Sequence, residues 1–241
     1  MSYLDQLLFG YYPYTCLSVF LLGSLLRFDR DQYTWKSDSS QLLRAGQRRR
    51  GSNLFHVGIL FLLGGHSMGL LTPHFVYEHF VSAPDKQLMA MLSGGLFGLL
   101  GFAGVSLLLQ RRLGDERIRI NSRPSDILLL VLLWLQFALG LATIPLSAQH
   151  LDGSLMIKLG EWAQHIVTLR GGAPQYLAEA GLVFKAHMFL GMSLFLVFPF
   201  TRLVHVWSGI GTLAYLVRPY QLVRSRRLGM TPRAPLSQRQ N

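Results

Sequence analysis

Apolar residues in this chain come in long blocks rather than in amphipathic stripes. Stretches free of Asp, Glu, Lys and Arg run from Gln6 to Leu26, Gly51 to Tyr77, Gln87 to Gln110, Ile127 to Leu151 and Ala186 to Thr201. The first four reach the roughly 20 residues that a helix needs to cross a hydrocarbon layer of ~30 Å. The fifth reaches it when extended back through Gly181–Phe184, with the Lys185 stem lying along apolar surface and its ammonium reaching the headgroups. The pattern predicts an all-α integral membrane protein, a bundle of five transmembrane helices. No cleavable signal peptide is predicted, because Asp5 interrupts the start and no basic segment precedes the first block.

Between the blocks the basic residues are unevenly shared. Segments 27–50, 111–123 and 202–241 carry seven, five and seven Lys or Arg, whereas the other side has only Lys86, Lys158, Arg170 and Lys185. The positive-inside rule then puts the N-terminus outside and the C-terminus in the cytoplasm. This topology accounts for the formal net charge of +11 without nucleic acid. Residues 1–223 read as one membrane domain, and 224–241 (RSRRLGMTPRAPLSQRQN) as a basic, disordered cytoplasmic tail. In the long outer connection, LMIKLGEWAQHIVTL has helical spacing and reads as a surface helix over the outer end of the bundle. Trp162 suits the membrane interface, and Gly171, Gly172 and Pro174 would end the helix.

Candidate chemistry lies with the histidines. The single cysteine, Cys16, excludes intrachain disulfides, zinc clusters and iron–sulfur ligation by this chain alone. Of eight histidines, His56 and His66 fall on the second span, and His187 and His205 on or just beyond the fifth. Ionisable groups in a membrane are costly enough to be read as functional. The second and fifth spans run in opposite directions, so His56 pairs in depth with His205 near the inner face, and His66 with His187 near the outer face. Two stacked His/His pairs match two six-coordinate b haems, and the absence of C-x-x-C-H excludes covalent c-type attachment. The alternatives are a proton relay, which would want carboxylates on these spans, a metal site, which would want its ligands at one depth, and plain packing.

Ten residues of ideal helix advance about 15 Å and fall about 80° short of three turns, whereas eighteen advance about 27 Å and complete five. The two histidine ladders therefore do not match, and Pro199, between His187 and His205, is the candidate kink. Gly58, Gly64, Gly65, Gly69 and Gly191 surround the pairs, fitting either close approach of a flat macrocycle or helix packing. The remaining histidines, His74, His79, His150 and His165, lie in outer segments and read as exposed or interfacial.

LLRFDRDQYTWKSDSSQ (25–41), SNLFHVGIL (52–60), GHSMGLLTPH (65–74), TIPLSAQHLDGS (143–154), FPFTRLVHVWS (198–208) and YQLVRSR (220–226) carry a resemblance. They are similar, in order over most of the chain, to the gamma subunit of membrane-bound respiratory nitrate reductase, the di-haem cytochrome b that anchors a cytoplasmic molybdenum enzyme. The resemblance implies two haem b groups with His56, His66, His187 and His205 as axial iron ligands. It implies quinol (menaquinol or ubiquinol) oxidation near the outer face, with Gly65, His66 and Lys86 in contact with quinol. Asp85, Glu78 and His74 are weaker candidates for proton release.

Electrons would pass to an iron–sulfur beta subunit, and an alpha subunit with a molybdopterin cofactor would reduce nitrate in anaerobic respiration. The location implied is the cell inner membrane. Arg48–Arg50, Arg111, Arg112 and the C-terminal arginines could meet the partner or the haem propionates, or serve only the topology and anionic lipid. A cytochrome b of a formate dehydrogenase or hydrogenase complex is the rival in the same class, and a haem-free anchor or transporter the rival outside it.

Overall fold

The computed structural model describes residues 2–30, 45–149 and 151–207, and contains no strand among them. Five helical stretches are long and apolar enough to cross a membrane: Tyr3–Phe28, Gly46–Leu71, Ala83–Gly114, Pro124–Ser147 and Leu182–Phe200. In chain order the elements are α1 (Tyr3–Gln6), a π-helical turn (Leu7–Tyr11), α2 (Tyr12–Arg30), α3 (Ala45–Leu71), α4 (His74–Tyr77), α5 (Ala83–Gly114), α6 (Glu116–Ile120), α7 (Pro124–Ser147) and α8 (Ser154–Val167). A 3-10 turn (Ala173–Leu177) leads to α9 (Leu182–Val197), which is followed by 3-10 turns at Phe198–Phe200 and Arg202–Val204. Residues Met1–His205 form one compact unit and Val206–Asn241 a second, of which only Val206 and Trp207 are described. The tail read at 224–241 lies outside the described residues.

The second span stops at Leu71 rather than Tyr77, because Pro73 lacks an N–H and disfavours helical backbone at Thr72 before it. The third starts earlier than its uncharged block. Ser82 caps α5 by accepting from the Asp85 N–H at 3.3 Å, so Asp85 and Lys86 lie in its first turns and Arg111 and Arg112 in its last, each matching the helix dipole in sign except Lys86. At 32 residues, or about 48 Å, α5 overshoots the hydrocarbon at its ends.

Glycine sets the closest crossing. A Cβ on Gly58 would sit 2.5 Å from the Gly101 backbone N, and one on Gly104 2.3 Å from the Phe55 backbone N. On the far side of α5, Gly101 and Gly98 receive Phe137 and Leu141 of α7. The series continues with α7 against α9 and α9 against α2. Val105, Leu129, Leu133 and Phe137 form the core between α5 and α7.

Pro199 interrupts the fifth span. Its helical hydrogen bonding ends at Val197, and Thr201 is fully extended at ψ 178°. Breaking a helix leaves carbonyls without intrahelical donors. Arg27 of α2 supplies the donors, giving Nη1–H to the Pro199 oxygen at 2.5 Å and to the Thr201 oxygen at 3.2 Å.

At the opposite end, α8 and the turn 173–177 cover the bundle with a core of Phe9, Trp162, Ile166, Leu177 and Phe184. Trp162, read from sequence as an interface residue, is buried. Pro13 has no N–H to give the Phe9 carbonyl, and Trp162 Nε1–H donates to that oxygen at 3.0 Å. Helix α8 ends four residues before Gly171, with Leu169 at φ 57° and the Arg170 N–H reaching back to the His165 oxygen at 2.8 Å. We call this the cap end and the other the arginine end.

Candidate functional site: two histidine pairs

Helix α3 runs toward the cap end and α9 away from it. The α3 histidines meet His187 of α9 and His205, beyond the break that follows α9, in two pairs. The His56 and His205 rings have centroids 6.1 Å apart with planes at 72°, at the arginine end. The His66 and His187 rings have centroids 6.3 Å apart with planes at 44°, nearer the cap. Ten residues of α3 separate the pairs by about 15 Å.

Three of the four rings are held by a carbonyl. His56 Nδ1–H donates to the Ser52 oxygen at 2.7 Å, His66 Nδ1–H to the Leu62 oxygen at 2.7 Å, and His205 Nδ1–H to the Arg202 oxygen at 2.6 Å. A carbonyl can only accept, so Nδ1 carries a proton, and a ring with no second proton has its lone pair on Nε2. That is the tautomer of an Nε2 metal ligand whose other nitrogen is fixed by a hydrogen bond. The fourth ring differs. His187 Nδ1 is buried without a partner among the described residues, and the Gln136 amide nitrogen lies 3.5 Å from its Nε2.

Both ring separations are of the size that two imidazoles would take on either side of one shared metal ion, about 6 Å between centroids. Among the described residues no three His, Cys, Asp or Glu side chains converge in a metal cluster.

The glycines divide by role. Gly58 is used in the α3–α5 crossing and Gly191 lies against Gln136, whereas a Cβ on Gly64, Gly65 or Gly69 would meet nothing within 4 Å. Gly140, which sequence reading passed over, makes room for the His187 ring, since a Cβ there would sit 3.0 Å from Cε1. Gln136 was also missed, although a lone amide within ILLLVLLWLQFALGLA is a detectable signal by the same cost argument that singled out the histidines.

Above the second pair, Lys86 Nζ lies 3.3 Å from the centre of the Tyr77 ring. Both line a cleft at the cap end with Thr72, His74, Glu161 and Gln164. Burial, reinforced by the Glu78 and Glu161 carboxylates, pushes the Tyr77 phenol up, so it stays neutral. The three residues read as weaker proton acceptors are not equivalent. His74 and Glu78 pair at 2.9 Å, while Asp85 accepts from Ser82 Oγ at 2.6 Å as part of the α5 cap. His165 is bound on both nitrogens, to the Gly171 oxygen and Tyr176 Oη at 3.1 Å each. His79 is exposed, and His150 lies outside the described residues. At the arginine end, Arg111 is buried and Arg112 pairs with Asp126.

The model of the nitrate reductase gamma subunit family matches residues 5–226. The chain belongs to this family. It is 51% identical over 226 residues to the respiratory nitrate reductase 1 gamma chain of Escherichia coli (strain K12), covering 94% of this chain and 100% of that one. It is 39% identical over 222 residues to the nitrate reductase gamma chain of Bacillus subtilis (strain 168), covering 92% and 98%. With its five membrane-length helices, this gamma subunit is a multi-pass membrane protein and part of an oxidoreductase complex.

Proposed function

We propose that this gamma subunit oxidises quinol near the cap end and carries electrons to a cytoplasmic nitrate-reducing unit. In this reading the cap end faces outward and the arginine end faces the cytoplasm of the inner membrane, as the distribution of Lys and Arg supports. His66 and His187 hold an outer b haem, and His56 and His205 an inner one. The observation that carries the reading is the pair of 6.1 and 6.3 Å ring separations at two depths between antiparallel helices. Bound haems supply one-electron carriers at both depths, which water-free hydrocarbon otherwise lacks. The partners are a beta subunit with iron–sulfur clusters and an alpha subunit with the molybdopterin site.

The chain's own residues do the rest. Backbone carbonyls of Ser52, Leu62 and Arg202 fix three ligand tautomers and raise ligand basicity. Gly65 beside His66 and Lys86 above the pair border the quinol, and Lys86 offers its ammonium to a quinol oxygen. Protons released outward while electrons go inward store about 2.3 kcal/mol per charge per 100 mV.

A reduced-minus-oxidised spectrum with a haem determination on the purified complex tests the reading directly. Two non-covalent b haems per chain are expected, and a chain without a b-type α-band overturns it. For the quinol site, Lys86→Ala is expected to lower kcat/KM for quinol at least tenfold, about 1.4 kcal/mol. Nitrate reduction driven by a viologen dye, which bypasses quinol, should be unchanged. Equal loss with both donors would assign Lys86 to assembly instead.

A further inference from the structure

His205 is held differently from the two histidines of α3. His56 and His66 lean on carbonyls four residues back in their own continuous helix. His205 follows the break at Pro199, and its Nδ1–H donates to the Arg202 oxygen within a 3-10 turn. No helical register carries its orientation from α9; His205 opens the helical residues 205–207 and takes its direction in part from the turn before it. Thr201 Oγ1 accepts from the Leu203 N–H at 3.3 Å, a local cap. A tertiary hold comes from Asp126, in the first turn of α7. It is buried, and its Oδ2 accepts from Arg202 Nη2 at 2.8 Å and from Arg112 Nη1 of α5 at 3.4 Å.

A buried carboxylate between two guanidiniums is expensive to desolvate, and removing one partner leaves an uncompensated buried charge, so the three groups are held to one another. Here one carboxylate ties α5 and α7 to the residue whose carbonyl orients His205. We propose that Asp126 is a positioning residue for the inner haem ligand, acting through Arg202, and that the Asp126–Arg112–Arg202 cluster sets the potential of that haem. The inference rests on the reading that His56 and His205 hold a haem.

The charges give it a signed test. Reduction adds an electron, so a nearby negative charge disfavours it and a positive one favours it. Asp126→Asn removes the negative charge and should raise the inner haem potential. Arg112→Gln removes a positive charge and should lower it. Each shift is expected to be about tenfold in the one-electron equilibrium, 59 mV. Redox titration with low-temperature EPR, in membranes carrying the full-length chain and its partner subunits, reads both. In Asp126→Asn the low-spin EPR signal of the inner haem should move as His205 turns, and Asp126→Glu should return it toward wild type.

The outer haem reports folding and should keep its potential and signal. Unchanged inner-haem potentials in both variants, or equal shifts of both haems, overturn the proposal. If Asp126→Asn loses both haems, the sign of the Arg112→Gln shift decides alone, and no shift or an upward one refutes the clamp. A wild-type complex lacking two b haems removes the underlying reading and the inference with it. A silent Asp126→Asn in a di-haem complex removes only the inference.

Discussion

Alanine at His66 or at His187 is expected to halve the b-haem content and to reduce quinol-driven nitrate reduction by about 100-fold or more. Viologen-driven reduction should persist. Each substitution removes one of the two imidazoles that would hold the outer haem, from the pair whose centroids lie 6.3 Å apart. The haem that remains should be the one between His56 and His205, since that pair is about 15 Å away along α3 and has its own carbonyl partners. Alanine at His56 or His205 should give the reciprocal pattern, with the inner haem lost and the outer one kept. The two haems are told apart by their EPR signals and potentials. If His66→Ala and His205→Ala removed the same haem, the depth pairing would be wrong. Loss of both haems in every variant would instead mean that each group is needed for the other to be retained.

The two pairs were legible in the sequence because three simple constraints suffice. Apolar blocks fix the spans, alternating direction fixes which end of each span is which, and imidazoles on the spans or just beyond their ends are costly enough to be read as functional. Pro199 was legible as a candidate interruption because a residue without an N–H removes a bond from the ladder, although α7 runs on through Pro145 and shows that proline alone does not end a helix.

What could not be read was how the interruption is repaired. Arg27 closes over the Pro199 and Thr201 carbonyls from a helix more than 170 positions away in sequence. Asp126 and Arg112 are ordinary members of a helix start and a helix end by local pattern. Only the packing of α5, α7 and the chain after α9 brings their charges together. Trp162 misled because an indole in an amphipathic stretch fits a membrane interface and a buried cap equally well. The missing N–H of Pro13, 149 positions earlier, is what draws it inward to Phe9. The glycines were legible as a group but not one by one, because composition cannot tell a glycine facing open space, as Gly65 does, from one under a neighbouring backbone, as Gly58 is.

That distinction makes Gly104 one of the tightest packing positions among the described residues. A Cβ there would lie 2.3 Å from the Phe55 nitrogen, 2.7 Å from its Cα and 2.8 Å from the Gly51 oxygen. These are backbone atoms of α3, so no rotamer change relieves the contact and the two helices must separate. Overpacking of this kind costs about 1–3 kcal/mol for one methyl group, and more for a larger side chain. Gly104→Ala should therefore lower the thermal midpoint of the detergent-purified chain, and Gly104→Leu should prevent stable accumulation in the membrane. The damage should also be local at first. Phe55 precedes His56, so pushing α3 outward at this level pulls His56 away from His205 while His66, ten residues further along α3, moves less. In Gly104→Ala the inner haem should be lost on heating before the outer one. Gly114→Ala, where a Cβ meets nothing within 4 Å, should melt like wild type. A Gly104→Ala protein with an unchanged midpoint would show that α3 and α5 do not approach as closely as described.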